Sequence, residues 1–284
     1  MALNLKTLGI RSLSATVFVI VLLGSVIWNY YSFSIFFFSV SLIGLNEFYK
    51  ISEKLEVKPF KLIGFICACL LYVSFVNFSF LFQDSKIKNY LIYCIAIIPF
   101  ALFTTALFSK KEKPLTNFMY TLAGIVYTVL PFALLNQLVV TKDNNSLISN
   151  YNPILILGII LLIWSNDTFA YLGGSLFGKN KMIARISPGK TWEGTIFGVL
   201  LTFVLSFLIK KFIIKTEDNS WLILGIAVPI LATIGDLVES MLKRQAGVKD
   251  SGNIMPGHGG ILDRFDSLIF VSPFVYVFFK LLYL

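Results

Sequence analysis

The 284-residue chain is 57% hydrophobic and 14% charged, with a mean hydropathy of +0.81; a soluble domain carries about 25% charged residues, so this chain cannot cover a water-facing surface. Its apolar runs are too continuous for a lipid-facing β-barrel, whose short strands alternate polar and apolar residues, which leaves a polytopic α-helical membrane protein whose helices satisfy their own backbone groups. The net charge of +9 comes with no basic face interleaved with stacking aromatics, so it reads as loops beside anionic headgroups and not as nucleic-acid binding.

A hydrocarbon core of about 30 Å takes about 20 helical residues, and nine spans of that kind are expected, near 12–28, 31–48, 60–82, 90–108, 118–140, 153–176, 192–214, 220–242 and 265–284. The first has Lys6 and Arg11 ahead of an apolar stretch, as a signal peptide would. Bulky Trp28, Tyr30 and Tyr31 stand where a cleavage site needs small residues, and a second apolar run begins at once, so the reading is a retained helix. Cys67, Cys69 and Cys94 lie in apolar runs and, in a chain with a single His, make neither a zinc site nor a disulfide framework. Most of the 24 Lys and Arg residues fall at the N-terminus and in the even-numbered loops. That bias predicts a cytoplasmic N-terminus and an outside C-terminus.

Two parts of one membrane unit differ in kind. Residues 1–150 read as N-terminal transmembrane helices whose acids (Glu53, Glu56, Glu112, Asp143) sit mostly in short loops. Residues 151–284 read as a catalytic transmembrane region, because Asp167, Glu193, Asp236 and Glu239 fall within or beside spans. Ionisable groups at that depth are costly and usually face a protein-lined, hydrated cavity.

Three polar clusters are expected on the cytoplasmic face: Asp167 with the loop Gly178 to Gly194, then Gly235 to Arg244, then Lys249 to Ser267. Asp236, Glu239, Ser240 and Lys243 are spaced i, i+3, i+4 and i+7, on one helical face. Asp263 and Asp266 are three apart and share a face if the last helix begins there. Paired acids from two helix ends make an oxygen-rich site that suits Mg²⁺. Lys190, Lys243, Arg244, Lys249 and Arg264 can balance phosphate charge. Gly257, Gly259 and Gly260 allow close backbone approach. Taken singly, these features have plainer readings: an Asp–Lys pair at a helix end, a hydrogen-bonded His258, a turn at Gly–Gly. The pairs Gly174/Gly178 and Gly194/Gly198 read as close helix packing.

Ser240 to Asp266, SMLKRQAGVKDSGNIMPGHGGILDRFD, resembles the signature of the phosphatidate cytidylyltransferases, or CDP-diacylglycerol synthases. The pattern is Ser, two residues, Lys-Arg, four residues, Lys-Asp, then Pro-x-His-Gly-Gly and Asp-Arg-x-Asp. Met255 stands where the family usually has Leu, Ile or Phe. Asp167, Ala170, Tyr171, Phe177, Gly178, Lys179 and the Ser187-Pro188-x-Lys190-Thr191-x-Glu193 run extend the likeness, which covers residues 160–270. The resemblance implies transfer of a cytidylyl group from CTP to phosphatidate in the membrane, with Mg²⁺ and room for a second cation. It implies Asp236 and Asp263 as principal metal ligands, with Asp266 and Asp167 as further ones. Lys243 and Arg264 would join Asp236 and Asp263 in catalysis, and Arg244 and Lys249 would bind phosphates. Ser187, Lys190, Thr191, Gly259 and Gly260 would hold the nucleotide or headgroup, with His258 as an orienting donor. It also suggests a homodimer in a bacterial inner (plasma) membrane, with the active site facing the cytoplasm. The nearest rivals are a CTP-dependent alcohol kinase and, outside the enzymes, an ion channel or proton-coupled transporter. The Asp-Gly-x-x-Ala-Arg motif of the CDP-alcohol phosphotransferases is absent.

Overall fold

The computed structural model describes residues 5–77, 93, 95–142, 149–255, 257 and 259–282. Among them are nine helices: α1 (Leu5–Trp28), α2 (Tyr30–Lys54), α3 (Lys61–Phe75), α4 (Ile98–Leu107), α5 (Pro114–Leu138), α6 (Ile154–Phe177), α7 (Trp192–Ile214), α8 (Ser220–Gln245) and α9 (Leu262–Leu282). Seven are long and apolar enough to cross a membrane, the first over Arg11–Trp28; α3 and α4 are shorter apolar helices in the places of the third and fourth expected spans. The chain is an all-α polytopic membrane protein. Two small antiparallel hairpins complete it: β1 (Val140–Lys142) with β2 (Ser149–Tyr151), and β3 (Lys181–Ile183) with β4 (Ser187–Thr191).

Two compact units make up the chain. One comprises Met1–Pro153 with Gln245–Arg264, and the other Ile154–Arg244 with Phe265–Leu284. In the first, a capping box separates α1 from α2: Asn29 Oδ1 accepts from Ser32 N (2.9 Å) and Ser32 Oγ accepts from Asn29 N (3.2 Å). The core gathers Phe33 and Phe37 of α2 against Phe132 of α5, with the Phe37 and Phe132 rings stacked at 5.5 Å. Buried polar groups of three helices pair inside it, as burial demands. Tyr72 of α3 donates to Ser34 O (2.8 Å), and Ser34 Oγ donates to Asn136 Oδ1 (2.8 Å). A π-helical turn, Ile125–Val129, interrupts α5 just ahead of Pro131, whose missing N–H and ring disfavour a regular turn there.

In the second unit, α6 and α7 cross in close contact through glycines. A Cβ at Gly194 would stand 2.7 Å from Ala170 O and 2.9 Å from Gly174 Cα, so only hydrogen fits between those backbones. The expected small-residue packing is present at Gly174 and Gly194. Trp221 of α8, 6% exposed, lies with its ring on Gly158 of α6. The outward face of α7 carries exposed Ile196, Leu200, Val204 and Phe207 at helical spacing, a stripe suited to lipid and a liability in water.

Candidate functional site

In the second unit the connection from α6 to α7 is the β3–β4 hairpin, and side chains at the start of α7 hold it. Thr191 caps α7, its Oγ1 accepting from Gly194 N (3.2 Å). Glu193, in the first turn of α7, accepts from Lys179 N (3.1 Å), Asn180 N (3.1 Å) and Asn180 Nδ2 (2.7 Å). The hairpin therefore has a fixed attachment at both ends, and β4 presents Ser187, Lys190 and Thr191 to a cavity of about 420 Å³. Asp167 and Tyr171 of α6 and Thr233 and Asp236 of α8 line the same cavity.

Lys190 forms an ion pair with Asp236. One turn along α8, Lys243 pairs with Glu239 at 2.5 Å in an i, i+4 arrangement, and Ser240 Oγ donates to Asp236 Oδ1 (3.3 Å). Asp266 of α9 completes the group, so that one carboxylate oxygen each from Asp236, Glu239 and Asp266 lies within 4.8 Å of the others. Gly235 makes this possible. A Cβ there would meet Asp266 O and Phe270 Cβ at 2.7 Å each, so α8 and α9 pack backbone to backbone beside the acids. Ser267 Oγ reinforces the crossing by donating to Ala232 O (3.2 Å).

Three carboxylates this close repel one another unless cations offset them. Two lysines do part of that here, on Asp236 and Glu239. An all-oxygen, anionic donor set is the chemistry that holds a hard divalent cation, and the residues present fit one. The lysines of these pairs also supply cations for phosphate.

The expected residues divide between the two units. Asp167, Ser187, Lys190, Thr191, Asp236, Lys243 and Asp266 belong to the second, where Arg244 also donates from Nε to Ile186 O (3.3 Å) beside the hairpin. Lys249, Gly259, Gly260, Asp263 and Arg264 belong to the first. There Asp263 Oδ2 accepts from Ser251 N (2.9 Å), Ser251 Oγ (2.9 Å) and Gly260 N (2.7 Å). Gly259 has φ +83°, a left-handed conformation that favours glycine, and a Cβ on it would stand 2.5 Å from Asp263 Oδ2. Lys249 and Arg264 are exposed. His258 lies outside the described residues, as does Pro256 of the same motif. Glu239, which the sequence reading set on the Asp236 face without assigning it to the metal, joins the acidic group; its i+3 spacing from Asp236 was the available signal. Glu47, in α2, carries no such signal, yet it is 2% exposed and hydrogen-bonded to the segment before α9.

The profile described as "Cytidylyltransferase family" matches residues 9–282. A protein named phosphatidate cytidylyltransferase from Staphylococcus haemolyticus is 31% identical over 266 residues, 93% of this chain and 96% of its own length. Another so named, from Haemophilus influenzae, is 43% identical over 130 residues, 44% of this chain and 45% of its own length. A third, from Rickettsia bellii, is 37% identical over 169 residues, 57% of this chain and 69% of its own.

Proposed function

This chain belongs to the cytidylyltransferase family, and from that premise we propose that it transfers the cytidylyl group of CTP to phosphatidate. A phosphatidate oxygen attacks the α-phosphorus of CTP, a new P–O–P linkage forms, and the α–β bond breaks to release pyrophosphate and leave CDP-diacylglycerol. The observation that carries this reading is the meeting of Asp236, Glu239 and Asp266, with a lysine on two of them.

The attacking group is already an anion, so no strong general base is needed. The harder task is to hold two repelling anions in line and to stabilise the leaving group, by positioning and electrostatics. Asp236, Glu239 and Asp266 would hold Mg²⁺, with Asp167 on the wall of the adjoining cavity as a further ligand; bound there, the ion would neutralise charge developing on the pyrophosphate. Lys190 and Lys243 would turn from carboxylate to phosphate as substrate enters. Ser187 and Thr191 would orient the nucleotide or the headgroup by hydrogen bonding. For Asp263 we infer a ligand or loop-ordering role, and for Lys249, Arg244 and Arg264 contacts to phosphate, Arg in bidentate form. His258, Gly259 and Gly260 complete the binding segment in this reading. We place the working enzyme in a bacterial inner membrane, as a homodimer with its site facing the cytoplasm. The bias of Lys and Arg supports the orientation.

The test is incubation of the purified protein with CTP, phosphatidate and Mg²⁺. Pyrophosphate and CDP-lipid in equal amounts are expected. Release of CDP with a lipid alcohol as acceptor would mark a kinase instead, and ion flux in liposomes without CTP consumption would mark a transporter.

A further inference from the structure

Glu47 lies within α2, at 2% exposure. A carboxylate buried inside a membrane span is costly unless donors surround it, and its donors come from more than 200 residues away in the sequence. Oε1 accepts from Ile261 N (3.0 Å), and Oε2 accepts from Leu262 N (2.9 Å) and Ser251 Oγ (3.0 Å). Leu262 is the first residue of α9 and Ile261 the one before it, and N–H groups at a helix start have no partner inside the helix; a helix N-terminus also favours a negative charge. Two glycines between α8 and α9 make room for this side chain. A Cβ on Gly260 would stand 2.5 Å from Glu47 Oε1, and one on Gly252 2.3 Å from it. Ser251 lies between two acids, its hydroxyl within hydrogen-bonding distance of Glu47 Oε2 and Asp263 Oδ2. One hydroxyl has one proton and donates to one of them at a time, while Ser251 N holds Asp263 in either case.

We propose that Glu47 is a positioning residue for the proposed reaction: it sets the start and rotation of α9, and orders Ser251 and Gly260–Leu262, which hold and lead into Asp263. Asp266 follows one turn further along the same helix, so an error in that start is carried to the acid that would hold the cation. This gives the N-terminal helices a part in the chemistry. The inference rests on the function proposed above.

The test compares full-length wild type, Glu47→Gln and Glu47→Asp, purified in detergent and assayed for pyrophosphate release across CTP and Mg²⁺ concentrations, below the melting temperature of each. Glu47→Gln keeps the shape and loses the charge. Its KM for CTP, or its Mg²⁺ concentration for half-maximal rate, is expected to rise tenfold or more while the protein stays folded, and Glu47→Asp is expected to recover most of that shift. A Glu47→Gln protein whose activity falls only with its folded fraction, both constants unchanged, has a structural glutamate and overturns the proposal. If Glu47→Gln does not fold, Ser251→Ala carries the test, with a rise of at least threefold expected and unchanged constants overturning it. A wild-type protein that releases no pyrophosphate overturns the proposed function instead. Positioning is then read from hydrogen exchange at Ile261 and Leu262, which should quicken at least tenfold in Glu47→Gln and, if unchanged, rejects the role of Glu47.

Discussion

At the residue scale, one charged oxygen separates Asp from Asn, and the acidic group predicts what its loss does. Asp236→Asn and Asp266→Asn keep the volume of the side chain and remove an anionic donor from the set that lies within 4.8 Å. Metal-held electrostatic contacts are worth several kcal/mol in a transition state, so pyrophosphate release should fall by orders of magnitude in each, with expression and melting temperature near wild type. Asp263→Asn should behave differently. Its Oδ2 accepts from two backbone N–H groups of its own loop, Ser251 N and Gly260 N, and shares the Ser251 hydroxyl with Glu47; hydrogen bonds to a charged group contribute about 1.5–3 kcal/mol each. A lowered melting temperature should therefore accompany its loss of activity, and a drop in rate alone would mark Asp263 as a direct ligand. Arg264 is exposed at the start of α9. Arg264→Lys retains the charge without the planar fork and should lose less activity than Arg264→Ala, a ranking that kcat/KM for CTP reads directly. Glu53→Gln, whose carboxylate makes an exposed pair with Lys61, should leave kcat/KM near the wild-type value, because such pairs are worth little.

At the element scale, glycines decide how near the helices come. Gly194→Val would drive a branched side chain into Ala170 O and Gly174 Cα, both backbone atoms that no rotamer change can move aside. Overpacking typically costs about 1–3 kcal/mol, and because α7 also anchors the β3–β4 hairpin through Thr191 and Glu193, the displacement should reach Lys190. A thermal shift assay should find Gly194→Val less stable than wild type, and its KM for CTP should rise. Gly24→Ala, in α1 at a position with nothing within 4 Å of the added carbon, is the control and should do neither. The capping box at Asn29 and Ser32 shows a different kind of local control. It is written in four consecutive residues and ends one helix where the next begins.

At the scale of the whole molecule, the succession of spans predicts topology. Gly247 follows α8 and Lys181 precedes α7, so α7 and α8 lie between them, with Asn219 in the connection of those two helices. In a background without native cysteines, single cysteines at Lys181 and Gly247 should label from the same side of the membrane, expected to be the cytoplasm. Asn219 should label from the other. Opposite labelling of Lys181 and Gly247 would change the span count and break the proposed site. Much of this was legible in the linear chain. Hydropathy sums over a stretch of residues whatever they pack against, so the nine helices among the described residues fall where apolar runs stand, and a spaced motif such as Ser240 to Asp266 is a property of order alone. The sequence also determined that Asp236, Glu239 and Lys243 share one face of α8, because helical periodicity is local. Which acids of α9 meet that face was not determined there. Asp263 and Asp266 are three apart and equivalent by spacing, but the rotation of α9 depends on contacts made across long sequence separations. Gly235 lets α8 approach α9 at Asp266, while Ser251 and Gly260 engage Asp263 and Glu47 caps the helix from α2. Only the tertiary structure brings those donors to the start of α9, because a buried carboxylate is satisfied by whichever N–H groups the packing delivers to it, and no spacing within either segment encodes that meeting.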